Sequence, residues 1–144
     1  MLSIAVAERR EAPGFRGWSV KQGVLHVQPP ADILEGMLTL RLHLDDCGPH
    51  NGPLRVLGGS HRHGRLSDEA IETLCRKGAE VACLVRAGGV LLMRPLLLHA
   101  SSRAERPGRR RVLHLEYAAS PLPYGLRWFE EAWPEGGATP EVPE

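Results

Sequence analysis

Very little in this chain could cross-link it or carry it across a bilayer. Its 144 residues include only 3 cysteines, Cys47, Cys75 and Cys83. The number is odd and no Cys-x-x-Cys pair occurs, which argues against a disulfide framework and against a structural zinc site of the usual spacing. Free thiols in a reducing compartment remain, so a cytoplasmic location is expected. No apolar run approaches the roughly 20 residues that a membrane-spanning helix needs. The opening MLSIAVAERRE carries a short apolar patch, but its charges follow the patch instead of preceding it, unlike a leader peptide. No membrane partner is expected.

Charge of one sign is also missing. The formal net charge is +1, so no overall field favours nucleic acid or an anionic surface. Lysine is almost absent: 16 of the 18 basic residues are arginine, with Lys21 and Lys77 the exceptions. No aromatic residue is interleaved with Arg103, Arg106 and Arg109 to Arg111, so these arginines are not expected to bind nucleic acid.

What is present fits a single globular domain. A chain of this length can bury roughly 68–70% of the surface it exposes when unfolded. With 16 glycines and 12 prolines the periodic stretches are short, which favours strands over helices. The expected organisation is one domain over residues 1–133 and a disordered tail over 134–144, where PEGGATPEVPE has little to bury.

The stretch MLTLRLHLDD, residues 37–46, alternates strictly. Leu38, Leu40, Leu42 and Leu44 belong to one face; Thr39, Arg41, His43 and Asp45 belong to the other. The polar set can be a solvated outer face or the lining of a polar cavity. Residues 53–59 read as a second strand, and the turn CGPHNG suggests that the two pair as a hairpin. SDEAIETLCRKG, residues 67–78, is the clearest helix, with Ser67 as cap, acidic residues first, basic residues last and Gly78 to close it. Further strands are expected over 80–86, 90–93, 95–100 and 111–119, and a short helix over 125–133. Many short strands with one or two short helices imply a mainly β sandwich or barrel.

Several histidines could ligate a metal. His43-Leu44-Asp45 is an H-x-D, with imidazole and carboxylate on one face of an extended chain. His61 and His63 sit in a glycine-rich turn, where local hydrogen bonds are the commoner role, and His114 stands mid-strand with Glu116. His99 ends an apolar run at a sheet rim. Eleven residues on, Arg110 shares strand parity with Val112 and His114, whereas Arg109 and Arg111 go with Leu113 and Leu115. An inward arginine is costly unless it meets an anion, and a dicarboxylate would satisfy it through a two-pronged contact.

Residues 38–66, 87–102 and 109–117 together resemble the phytanoyl-CoA dioxygenase family of Fe(II)/2-oxoglutarate oxygenases. The matching features are the Asn51-Gly52 turn, the Gly58-Gly59-Ser60-His61 turn with glycine in place of the family's proline, the Gly88-Gly89 turn, His99 and Arg110. The resemblance implies a double-stranded β-helix (a jelly roll of cupin type). It implies Fe(II) held by two histidines and a carboxylate, 2-oxoglutarate as co-substrate, and hydroxylation of a small-molecule substrate. His99 would be the distal iron ligand and Arg110 would hold the far carboxylate of 2-oxoglutarate. Thr39, Arg41 and Ser101 would line the co-substrate pocket. The family's proximal H-x-D precedes a run similar to LSIAV, and this chain opens at MLSIAV. The expectation is therefore a fold incomplete at its N-terminus, truncated, with two iron ligands missing and its leucine face free to form a homodimer. His43 and Asp45 are the alternative ligands. The rival expectation is a non-catalytic jelly-roll module that binds a small anion or a protein partner.

Overall fold

A computed structural model describes residues 2–101, 103–106 and 108–130. The tail expected at 134–144 and the end of the helix expected over 125–133 lie outside the described residues. Two compact units appear, one formed by residues 3–28 with 121–130, the other by residues 29–120.

In the first unit, β1 (Ile4–Ala5), β2 (Arg16–Lys21) and β3 (Val24–Gln28) form an antiparallel sheet in the order β1-β3-β2. Gln22 and Gly23 both have positive φ, 50° and 81°, which gives the tight β2–β3 turn the twist its strands need. Ile4, Val6, Phe15, Val27 and Leu126 are buried here. The expected helix is not formed over 125–130: Tyr124 and Gly125 take positive φ, and Trp128 bridges Val6 as an added piece of strand. Pairing with an available edge outweighed the local amphipathic spacing.

The second unit holds α1 (Ala31–Glu35), β4 (Met37–His43), β5 (Leu54–Leu57), a 3-10 turn (Ser60–His63) and α2 (Asp68–Lys77), followed by β6 (Glu80–Cys83), β7 (Val90–Met93), β8 (His99–Ser101) and β9 (Val112–Ala118). It contains two antiparallel sheets, β7-β4-β9 and β6-β5-β8. The architecture is mainly β, as expected for a cupin-like fold. α2 begins as its sequence predicts, with the Ser67 hydroxyl accepting from the Ala70 N–H at 3.3 Å. It ends with the Gly78 N–H on the Leu74 carbonyl at 2.8 Å.

The hairpin expected from 37–46 and 53–59 does not exist, because β4 and β5 lie in different sheets. Cys47, inside the supposed hairpin turn, instead exchanges backbone hydrogen bonds with Val85 at 2.8 and 3.2 Å. That pairing carries the chain from one sheet to the other. The strand expected at 95–100 shrinks to Ser101 and its two predecessors, since Arg94 to Leu97 form a turn closed by the Leu97 N–H on the Arg94 carbonyl.

The two faces of β4 differ as its alternation implies. Met37, Thr39 and His43 are buried, with Thr39 2% and His43 3% exposed. Leu38 and Leu44 are exposed, together with their neighbours Leu92, Leu113, Leu115 and Tyr117 on β7 and β9. Opposed residues of antiparallel strands share a face, so Leu92 and Leu115 flank Leu40 on one side, while His114, itself exposed, stands beside Arg41 on the side of Thr39 and His43.

Candidate functional site

The buried face of β4 carries an unusual concentration of nitrogen. One guanidinium nitrogen of Arg41 donates to Nδ1 of His114 at 3.0 Å. A guanidinium can only donate, so Nδ1 must be the acceptor and His114 is the neutral Nε2–H tautomer. That Nε2 faces the Glu116 carboxylate at 3.5 Å. Two residues along β4, His43 is 3% exposed, and among the described residues neither ring nitrogen has a hydrogen-bond partner. The buried Nε of Arg41 is likewise unpaired among the described residues. Desolvation, then the charges of Arg41 and Arg110, push the His43 imidazole below its ordinary pKa. Burial, then the positive charge of Arg110, lowers the Arg41 guanidinium in the same way.

The turns sort the three arginines into separate roles. Asp45, just past β4, takes a two-pronged contact from Arg111: Nη2 to Oδ1 at 2.9 Å and Nε to Oδ2 at 3.0 Å. The Arg111 backbone N–H adds a third bond at 2.8 Å. These bonds hold the Asp45 carboxyl down to about 2. Asn51 donates through its amide to the carbonyls of Asp46 and Arg109, each at 3.1 Å. Gly52, with φ of +61°, turns its own carbonyl toward Nη1 of Arg110, which donates to it. Only a residue without Cβ takes that φ without strain. The Asn-Gly turn thus aims Arg110, while Asp45 occupies Arg111.

On the second sheet, His99 opens β8 opposite Val56 and shares a face with Leu54 and Ser101. Both His99 and Ser101 are exposed. Nδ1 of His99 lies 2.7 Å from the Leu97 carbonyl. A carbonyl only accepts, so Nδ1 carries a proton, and in the neutral ring this leaves Nε2 as the atom able to bind a metal. The serine of the Gly-Gly-Ser-His turn sets this geometry. Ser60, 2% exposed, donates to the Leu57 carbonyl at 2.8 Å and accepts from the Leu98 N–H at 2.9 Å. It fastens the end of β5 to the residue before His99.

Of the residues singled out in the sequence, Arg41, His43 and Arg110 come together, with Thr39 two residues along the same face. His99 and Ser101 stand on the other sheet. Among the described residues no cluster of three His, Cys, Asp or Glu side chains could hold a metal ion. The alternative ligand pair His43–Asp45 remains a proposal: the Asp45 carboxylate is bonded to Arg111, and the charges of Arg41 and Arg110 lower the His43 pKa. His61 lines a cleft of about 390 Å³ with Glu35, Arg62, Arg94 and Leu96, away from these groups. Ser60, Asn51 and His114 are the contributors that sequence reasoning did not assign a role. Asn51 and Ser60 were visible only as parts of turns, and the tautomer of His114 depends on a partner 73 residues away.

A sequence model described as phytanoyl-CoA dioxygenase (PhyH) matches residues 1–112. Comparison with curated proteins gives no match. Among solved structures, EctD from S. alaskensis with bound Fe is 30% identical with a TM-score of 0.54, over 68% of this chain and 36% of that one. EctD from S. alaskensis with 2-oxoglutarate and 5-hydroxyectoine is 30% identical at TM-score 0.51, over 60% of this chain and 34% of that one. AviO1 from Streptomyces viridochromogenes Tue57 matches at 24% identity and TM-score 0.52, over 81% of this chain and 47% of that one, a likeness of fold alone. The chain thus spans less than half the length of each of these proteins. With the family match covering most of its 144 residues, this chain belongs to the phytanoyl-CoA dioxygenase family.

Proposed function

We propose that this chain supplies the 2-oxoglutarate-anchoring side and one iron ligand of an Fe(II)/2-oxoglutarate dioxygenase, a hydroxylase of a small molecule. Its carrying observation is the sorting of the arginines: Arg111 is neutralised by Asp45, whereas among the described residues Arg110 meets a backbone carbonyl and no carboxylate. Arg110 holds the far carboxylate of the co-substrate, with Arg41 and Thr39 beside it. Ser101, on the His99 face of β8, lines the other end. His99 offers Nε2 to the metal. Fe(II), when bound by a full set of ligands, supplies the oxidising chemistry; the residues above bind and orient. The described residues do not complete that set, so no step of the reaction is assigned to them.

The same observation favours a second reading, a module that binds a small dicarboxylate without redox chemistry. One experiment serves both: calorimetric titration of 2-oxoglutarate into the chain and its single arginine variants. Charge-assisted hydrogen bonds contribute roughly 1.5–3 kcal/mol each, so Arg110→Ala should lose at least tenfold in affinity. Arg109→Ala should change little. Equal loss in both variants would sink the assignment. Weak Fe(II) binding that His99→Ala removes favours the first reading; 2-oxoglutarate binding with no Fe(II) taken up at any concentration favours the second.

A further inference from the structure

Both readings above leave His43 without a task. It is 3% exposed, and among the described residues both ring nitrogens lack a partner. Buried polar side chains are nearly always hydrogen-bonded, and an orphaned one costs the full price of its desolvation. His43 cannot turn away easily. Its N–H is fixed to the Gly89 carbonyl at 2.9 Å, and its carbonyl accepts from the Gly88 N–H at 2.7 Å. On its other side it stands opposite Val112, two residues past Arg110. The neighbouring Arg41 has an orphaned buried Nε of its own. Three donors on one strand face and its rim, two of them unsatisfied, describe a place prepared for acceptor oxygens. A packed apolar role would be filled better by leucine, and a metal would be repelled by the two guanidiniums.

We propose that His43 is a third contact for the carboxylate that enters between Arg41 and Arg110, donating a ring N–H to it. The inference rests on the reading that Arg110 receives a carboxylate, and adds a positioning residue to that site. It has a consequence in pH. The charged and titratable groups around His43 are Arg41 on its own strand, Arg110 before β9, His114 and Glu116 beyond Arg41 on β9, and Cys47 in the loop after β4. Without ligand, the two guanidiniums resist a proton on His43. A bound carboxylate offsets them and favours the proton. Binding therefore takes up a proton, and affinity rises as pH falls from 7.5 to about 5.5, the range in which an imidazole titrates.

The test uses the 144-residue chain with ¹⁵N-labelled histidine and sodium 2-oxoglutarate, without metal, so that no turnover is needed. One imidazole signal, absent from His43→Asn, should shift on titration. His43→Leu should weaken binding about tenfold and flatten its pH dependence, since one charge-assisted hydrogen bond is worth at least that factor. His43→Asn, which keeps a donor, should recover part of the affinity but not the pH dependence. Circular dichroism checks that each variant is folded, and the Asn variant carries the test if the Leu variant is not. If Arg110→Ala loses binding while the His43 signal and the pH dependence stay as they are, only water meets this ring and the proposal is overturned, although the anion site stands. If the wild-type chain does not bind 2-oxoglutarate at all, the site reading fails and this inference with it.

Discussion

Asp45 and Arg111 form a closed fork: two guanidinium nitrogens lie 2.9 and 3.0 Å from the two carboxylate oxygens, and the backbone N–H of Arg111 completes the contact. The fork engages one arginine of a row of three and ties Asp45 to the segment that carries Arg110 into β9. The carboxyl is held down to about 2, so its contribution to stability is full above the ordinary aspartate range and is lost as pH falls from about 4 toward 2. Asp45→Asn should remove that part of the acid transition in a pH-dependent thermal melt. An unchanged acid limb would show that the fork does not hold in solution.

The Ser60 hydroxyl joins two segments as donor and as acceptor while almost fully buried. Ser60→Ala leaves the Leu98 N–H and the Leu57 carbonyl without that partner, at a cost of about 1–3 kcal/mol. Urea unfolding should report the loss as a lower midpoint with an unchanged slope. A variant as stable as the wild type would mean that water replaces the hydroxyl.

His43 also affects stability without any ligand. Its folded pKa is lowered by desolvation and by Arg41 and Arg110, so below the ordinary histidine value the unfolded chain binds the proton more readily. Stability should therefore fall as pH drops from about 7 to 5, and His43→Leu should fall less steeply. Parallel slopes in denaturant titrations at both pH values would refute this.

Iron binding by the 144-residue chain should be weak, since one prepared imidazole cannot hold a labile ferrous ion against water and buffer. Anaerobic Fe(II) titration with 2-oxoglutarate should give no tight stoichiometric endpoint. His99→Ala should remove whatever binding there is; His43→Ala and Asp45→Ala should not. Tight binding abolished by either of the last two would make His43, Asp45 and His99 the triad after all.

The open face of the β7-β4-β9 sheet displays Leu38, Leu92, Leu113, Leu115 and Tyr117, with β9 as an edge strand among the described residues. A contiguous apolar patch beside an unpaired edge favours self-association. Sedimentation velocity should find dimers or larger species at micromolar concentration, and Leu92→Lys with Leu115→Lys should shift the chain toward monomer. A wild-type chain that stays monomeric would exclude this surface as a homodimer interface.

The period-two pattern of residues 37–43 settled by itself which side chains would share a face, because alternation is a property of extended backbone and needs no partner. The cap and close of α2 were equally local, with Ser67 and Gly78 acting within one turn of the helix. What the sequence could not decide was where each strand found its neighbour: β4 and β5 read as a hairpin until the backbone pairing of Cys47 with Val85 sent them to different sheets. Tertiary structure alone brought Arg111 to Asp45, because the two lie 66 residues apart. It also left the ring of His43 buried near two guanidiniums, with no partner among the described residues. Faces follow from the geometry of one chain segment, whereas partners, tautomers and unmet hydrogen bonds arise only when distant segments exclude water from each other.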